Sequence, residues 1–182
     1  MYKKDQIIYR AQIPKRMDPK VQYKTWGKSR SNRLGDYDYS ADQPIHVTIC
    51  TENKQEIFNS KINAEAVVGE LLKTANDLGF RILCYCLMPD HLHVVLTPAN
   101  SGHPLSEFLS LFKGRTSSSF WKREGLKKIW QRSAFDHILR RGEDLRATIE
   151  YILNNPVRKG IKKEAKDYPY SKWFDEEIER YL

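Results

Sequence analysis

An α+β fold, a small antiparallel sheet of the ferredoxin-like kind with helices packed on it, is what this chain predicts. Three observations lead there. Short apolar or alternating runs at 45–50, 81–88 and 91–96 have the length and pattern of strands. Apolar residues recur at helical spacing over 62–78, about 104–122 and about 143–155. The order strand, helix, strand, strand, helix, strand, helix is that of a split βαβ arrangement with one further helix.

Residues 1–43 read as a basic N-terminal arm. Over residues 1–34, Lys3, Lys4, Arg10, Lys15, Arg16, Lys20, Lys24, Lys28, Arg30 and Arg33 face only Asp5 and Asp18, and Gly27, Ser29, Ser31, Asn32 and Gly35 mark loop. The domain proper spans 44–162 and opens with the alternating strand Ile45-His46-Val47-Thr48-Ile49-Cys50. Val67, Val68, Leu71, Leu72 and Ala75 give the first helix its apolar side, and Gly79 is its stop. A second strand, Arg81–Met88, leads through a Pro89-Asp90 turn into a third that carries His91 and His93. Leu105, Phe108, Leu109 and Phe112 place one side of the second helix in the core. Ile129–Gln131 and Phe135–Leu139 read as a short strand or an irregular segment. A third helix, from about Glu143, should stop at Asn155, because Pro156 disfavours helix in the residue before it. Residues 163–182 form a C-terminal tail ending in a charged helix near 171–181.

The bulk composition narrows the function. A chain of 182 residues with 40% hydrophobic and 12% aromatic content can bury one core, which excludes a disordered chain. No apolar run approaches a membrane span and Met1–Gln6 holds no signal core, so a cytoplasmic protein with no membrane partner is expected. Cys50, Cys84 and Cys86 are too few and too irregular for a disulfide framework. A net charge of +8 and a pI near 9.3 favour a polyanionic partner, most simply nucleic acid.

The chemistry concentrates in two places. In a strand, His91 and His93 project to one face while Leu92, Val94 and Leu96 project to the other. Two neutral imidazoles on one rigid face can hold a divalent metal. On the third helix, Leu145, Ile149, Ile152 and Leu153 form the core stripe, and Tyr151 and Asn155 lie off it, four residues apart on a face of their own. A tyrosine hydroxyl is a weak nucleophile at neutral pH, and it becomes useful where a metal polarises a phosphate. The amide oxygen of Asn155 is a candidate third ligand beside His91 and His93, and that oxygen–imidazole mixture suits Mg²⁺ or Mn²⁺. A second basic cluster, Lys113, Arg115, Lys122, Arg123, Lys127, Lys128 and Arg132, is interleaved with Phe120, Trp121 and Trp130; it suits phosphates and unpaired bases, or else a solvated helix face with core aromatics. Arg158 and Lys159, just past the third helix, are placed to hold a scissile strand.

Met88-Pro89-Asp90-His91-Leu92-His93-Val94-Val95 resembles the His-hydrophobe-His motif of the single-tyrosine HUH transposases, the IS200-like family. Phe112-Lys113-Gly114-Arg115-Thr116-Ser117, Trp130-Gln131-Arg132, Phe135-Asp136-His137-Ile138 and Tyr151-Ile152-Leu153-Asn154-Asn155-Pro156-Val157-Arg158-Lys159-Gly160 resemble its REP-associated subgroup. The resemblance covers about residues 44–162. It implies a ferredoxin-like sheet, His91, His93 and Asn155 as metal ligands, and Tyr151 as the nucleophile that cuts single-stranded DNA. The products would be a 5′-phosphotyrosine link and a free 3′-hydroxyl. It also implies partners that are short palindromic repeats folded into hairpins. Many single-tyrosine transposases are dimers and the subgroup tends to monomers, so the resemblance leans to a monomer. Relatives outside the subgroup often carry glutamine where Asn155 stands.

Two rival readings use the same residues. A zinc protein would use Cys84, Cys86, His91 and His93 as a thiolate–imidazole set, with Cys86 opposite His93 across the hairpin. A non-catalytic nucleic-acid-binding module on the same fold would need only the basic arm and sheet aromatics, with the two histidines as packing.

Overall fold

The computed structural model describes residues 43–99, 101–139 and 145–178. The basic arm, Glu143 and Asp144 at the expected start of the third helix, and the last residues of the expected tail helix lie outside the described residues. The elements in chain order are β1 (Ile45–Cys50), α1 (Lys61–Leu78), β2 (Arg81–Met88), β3 (His91–Thr97), α2 (Leu105–Glu124), β4 (Phe135–Ile138), α3 (Leu145–Leu153), α4 (Asn155–Arg158), β5 (Ser171–Trp173) and α5 (Asp175–Ile178). All neighbouring strands are antiparallel, in the order β4-β1-β3-β2-β5. β3 fills the gap left by the β1–α1–β2 crossover, and β1 fills the gap left by β3–α2–β4. This is the ferredoxin-like arrangement the sequence predicts, extended by β5 at the β2 edge.

Strand alternation sorts side chains into two layers. Ile45, Val47 and Ile49 of β1 and Leu92, Val94 and Leu96 of β3 pack with Val67 and Leu71 of α1 and Phe108 and Phe112 of α2 in one core. Cys84, Cys86 and Met88 of β2 and Val95 of β3 pack on the other face with Leu145, Ile149 and Ile152 of α3 and with Tyr168 and Ile178. α1 ends where Gly79 takes a φ of 70°, a left-handed conformation open to a residue without Cβ.

Two expectations change and one open alternative closes. The third helix does not end at Asn155: after a turn at Asn154 the chain resumes as α4, with Pro156 in its first turn. A proline fits there because the first helical N–H groups need no partner inside the helix. Residues 171–173, expected to be helical, instead pair with β2, Cys86 facing Ser171 and Cys84 facing Trp173. Of the two readings left open for the aromatics near the basic cluster, Phe120 and Trp130 take the core one. The Trp130 indole donates to Thr116 Oγ1 at 2.7 Å, and that hydroxyl donates to the Phe112 carbonyl at 2.8 Å.

The segment before β5 is anchored from the side. The buried Tyr168 hydroxyl donates to the Leu87 carbonyl at 2.6 Å, and Leu87 N–H donates to the Tyr170 carbonyl at 2.8 Å. Tyr168→Phe leaves that carbonyl without its side-chain donor. It should cost about 1–2 kcal/mol in urea denaturation, and an unchanged midpoint would contradict the anchoring role.

Candidate active site

The register of three strands builds the site. Cys50 of β1 and Met88 of β2 flank His91, and Thr48 and Cys86 flank His93. His46 lies one cross-strand row further along, beside His137 of β4. All these side chains point away from the α1/α2 layer, towards the layer that holds α3.

The two imidazoles converge. His91 Nε2 lies 3.1 Å from His93 Nε2. The Asp90 carboxylate can only accept, so His91 Nδ1–H donates to it, at 2.5 Å, and His91 Nε2 carries a bare lone pair. His93 Nδ1 lies 3.0 Å from Thr48 Oγ1 and 3.2 Å from His46 Nε2. With its proton on Nε2, His93 donates to His91 and accepts from the Thr48 hydroxyl. With its proton on Nδ1, it donates to Thr48 and presents a bare Nε2. A hydroxyl donates or accepts equally well, so Thr48 accommodates both forms.

Electrostatics keep the rings neutral. Burial, then the charges around it, hold the His93 pKa well below the ordinary imidazole value. Burial also lowers that of His91, against the opposing pull of Asp90. Burial, with His137 nearby, brings His46 down to about 4. Neutral imidazole is the form that binds metal.

The helical layer supplies the remaining groups. Tyr151 is half-buried at the margin of the α3 core, and the Arg158 guanidinium lies 4.3 Å over its ring. Asn155 is 7% exposed, more buried than its place off the α3 stripe implies. Its amide nitrogen donates to the Tyr151 and Ile152 carbonyls at 3.2 and 3.1 Å. Those carbonyls can only accept, so the NH₂ must face them and Oδ1 must face away as an acceptor. Positive charge gathers at the histidines: Lys54 and Lys159 act on His91, and Lys54 and Arg158 act on His93.

These donors fit a divalent ion. Two ligands about 2.1 Å from one ion and at right angles lie about 3 Å apart, close to the 3.1 Å between the two Nε2 atoms. Asp90, Thr48 and His46 behind the rings are the kind of partners that orient metal-binding imidazoles. The zinc reading does not survive. Cys86 does face His93, but its thiol sits 3.7 Å from Met88 Sδ in an apolar layer, and burial pushes its pKa up to about 12. Burial pushes Cys84 up as well. Among the described residues, no three or more His, Cys, Asp or Glu side chains group as a metal-ligand set.

The other basic residues sort by layer. Lys113, Arg115, Lys122 and Arg123 belong to α2, across the sheet from the histidines. Lys113 caps the carbonyls of Gln131, Arg132 and Ser133 at 3.0–3.3 Å. Arg115 is paired with Asp77 at 2.6 Å and Glu70 at 3.4 Å, and Arg123 donates to Asn63 Oδ1 at 2.8 Å. These three have partners within the chain. Lys122 and Arg132 are exposed, and Arg158 and Lys159 are exposed beside the histidines. His46, Thr48, Asp90 and Lys54 received no role from sequence reasoning. The Thr48-x-x-Thr51 end of β1 carried a signal only once its register against β3 was known.

A family model described as "Transposase IS200 like" matches residues 40–155. A REP-associated tyrosine transposase of Escherichia coli (strain K12) is 31% identical over 101 residues, 56% of this chain; the chain spans only 59% of that relative's length. A Haemophilus influenzae protein is 25% identical over 158 residues, covering 70% of this chain and 88% of its own. A solved REP-associated tyrosine transposase bound to a REP hairpin superposes with a TM-score of 0.63, covering 80% of this chain and 86% of its own at 24% identity, a likeness of fold.

Two outcomes follow from the geometry behind the rings. Thr48→Val should weaken Mn²⁺ binding about 10-fold or more in calorimetric titration; unchanged affinity would contradict its orienting role. Metal-free protein should lose stability as pH falls. His46 takes a proton near 4 when folded and near 6.5 when unfolded, so the unfolded state binds more protons between those values. The His46 contribution is complete above the upper value, and its loss down to the lower one is on the order of 3 kcal/mol. Urea denaturation across that range checks it, and a flat profile would contradict it.

Proposed function

The chain belongs to the IS200-like transposase family, and on that footing we propose that it is a metal-dependent single-stranded DNA endonuclease and strand transferase. Tyr151 is its nucleophile, and His91, His93 and Asn155 hold Mg²⁺ or Mn²⁺. The observation that carries this reading is the convergence of two neutral imidazoles, their Nε2 atoms 3.1 Å apart, on the sheet face covered by the helix that bears Tyr151. When bound, the ion would draw charge from a phosphate oxygen and make phosphorus more open to attack.

The residues divide the work. Asp90, Thr48 and His46 fix the two rings. Arg158, stacked on the Tyr151 ring, sets its direction and brings a positive charge for the phosphate. In the reaction, Tyr151 Oη forms a bond to phosphorus as the P–O3′ bond breaks. The phenolic proton passes to solvent, and the departing oxygen takes up a proton to become a 3′-hydroxyl. One phosphodiester replaces another, so no ATP is needed, and attack by a different 3′-hydroxyl on the phosphotyrosine rejoins DNA.

The partner we propose is DNA with a hairpin from a palindromic repeat. The E. coli relative and the hairpin-bound solved neighbour support that choice. For the DNA grip we propose Arg158 and Lys159 at the site, with Arg132 and Lys122 on the exposed surface. Lys113, Arg115 and Arg123 have partners within the chain and are not placed first in this grip.

A labelled single strand carrying a cognate hairpin, incubated with Mn²⁺, should become attached to the wild-type protein in a link stable to denaturing electrophoresis. Tyr151→Phe and chelator should each abolish the adduct. Persistence of the adduct in Tyr151→Phe would remove Tyr151 from the role. Absence of any adduct in wild type would favour a binding module without catalysis.

A further inference from the structure

We propose that Lys54 contacts the scissile phosphate, as a further catalytic residue that completes an anion clamp around the two histidines. The proposal rests on the phosphoryl-transfer reading above. Lys54 lies in the turn that follows β1, just past Thr48 and Cys50 and distant in sequence from His91, His93 and Tyr151.

Its position is built. The hydroxyl of buried Thr51, with one proton to share, lies 2.8 and 2.9 Å from the carbonyls of Gln55 and Asp90, and its backbone N–H donates to the Asp90 carbonyl at 2.9 Å. The turn that carries Lys54 is thus fastened to the hairpin that carries Asp90 and His91. The Lys54 ammonium lies 2.9 Å from Cys50 Sγ, and Cys50 is the β1 residue paired with His91 on the histidine face. It is also 3.9 Å from Asp90 Oδ2, while the other oxygen of that carboxylate holds His91.

Neither neighbour matches a full ammonium charge. A thiol sulfur is a weak acceptor, and 3.9 Å is a loose ion pair shared with an imidazole. Arg158 and Lys159 add positive charge from α4, and Asp90 is the carboxylate bonded to the pair. A divalent cation on the imidazoles would add to an excess that only an anion offsets. A phosphodiester oxygen is that anion, and Lys54 can donate to it without transferring a proton.

The backbone points the same way. Asn53 and Lys54 have φ of 53° and 56°, the left-handed region. Asparagine tolerates it; lysine enters it at a cost that glycine would avoid. Lysine there sits in a costly backbone conformation, of the kind that clusters at functional sites.

The test uses the full Mn²⁺-loaded chain and a thymidine dinucleotide with one phosphodiester, set against the same dinucleotide with a neutral methylphosphonate linkage. Binding is read by broadening of the ³¹P line. Wild type should prefer the charged linkage by about tenfold. Lys54→Met should cut that preference several-fold, the dication and Arg158 keeping the rest, and Lys54→Arg should restore most of it. In single-turnover adduct formation Lys54→Met should be slower by about 100-fold. Lys54→Gly should show the same losses while its thermal midpoint holds or rises. A charged-linkage preference undiminished in Lys54→Met or in Lys54→Gly overturns the proposal. If wild type forms no adduct yet Lys54→Met still cuts the preference, the reading of Tyr151 fails and the clamp stands.

Discussion

The pairing register of β1 against β3 is the constraint on which the rest of the structure depends. Side chains alternate along a strand, so a slip of one residue would turn His91 and His93 into the α1/α2 core and turn Leu92 and Val94 out. That slip is prevented by apolar burial: Leu92, Val94 and Leu96 are wholly buried against Ile45, Val47 and Ile49 and two helices. The same register sets Thr48 beside His93 and Cys50 beside His91. The hydrophobic core on one side of the sheet thus fixes the hydrogen bonds on the other.

Burial and polarity then divide the labour at the site. Desolvation keeps His46, His91 and His93 uncharged, each hydrogen-bonded through a ring nitrogen. Positive charge comes instead from long side chains at the margin, Lys54 on the β1 side and Arg158 and Lys159 on the α4 side. Neutral donors at the centre and cations around them suit a dication that meets a phosphodiester. Two basic residues of α2 have partners inside the protein: Arg115 meets Glu70 and Asp77 of α1, and Lys113 caps the loop before β4.

Much of this was legible in the chain. β1, β2 and β3 follow their apolar patterns to within a residue, and Gly79 and the Pro89-Asp90 turn punctuate them. The shared face of His91 and His93 follows from spacing alone. What stayed hidden depends on contacts between distant residues. The short β5 has no alternation to read and is defined by its pairing with β2. His46, Thr48 and Asp90 gain meaning only from register and from an adjacent turn. The counter-ions of Arg115 sit on another helix. Pro156 was read as a stop because it disfavours helix in the residue before it, yet the first turn of a new helix accepts it.

The most direct measurement of the central claim is a count of nitrogen ligands on the bound ion. Pulsed electron paramagnetic resonance of the full chain loaded with one equivalent of Mn²⁺ reports couplings from coordinated imidazoles. Two histidine nitrogens, with one lost in His91→Ala and one in His93→Ala, is the result this account predicts. A Mn²⁺ ion with no imidazole nitrogen, or with couplings that survive both substitutions, would contradict it.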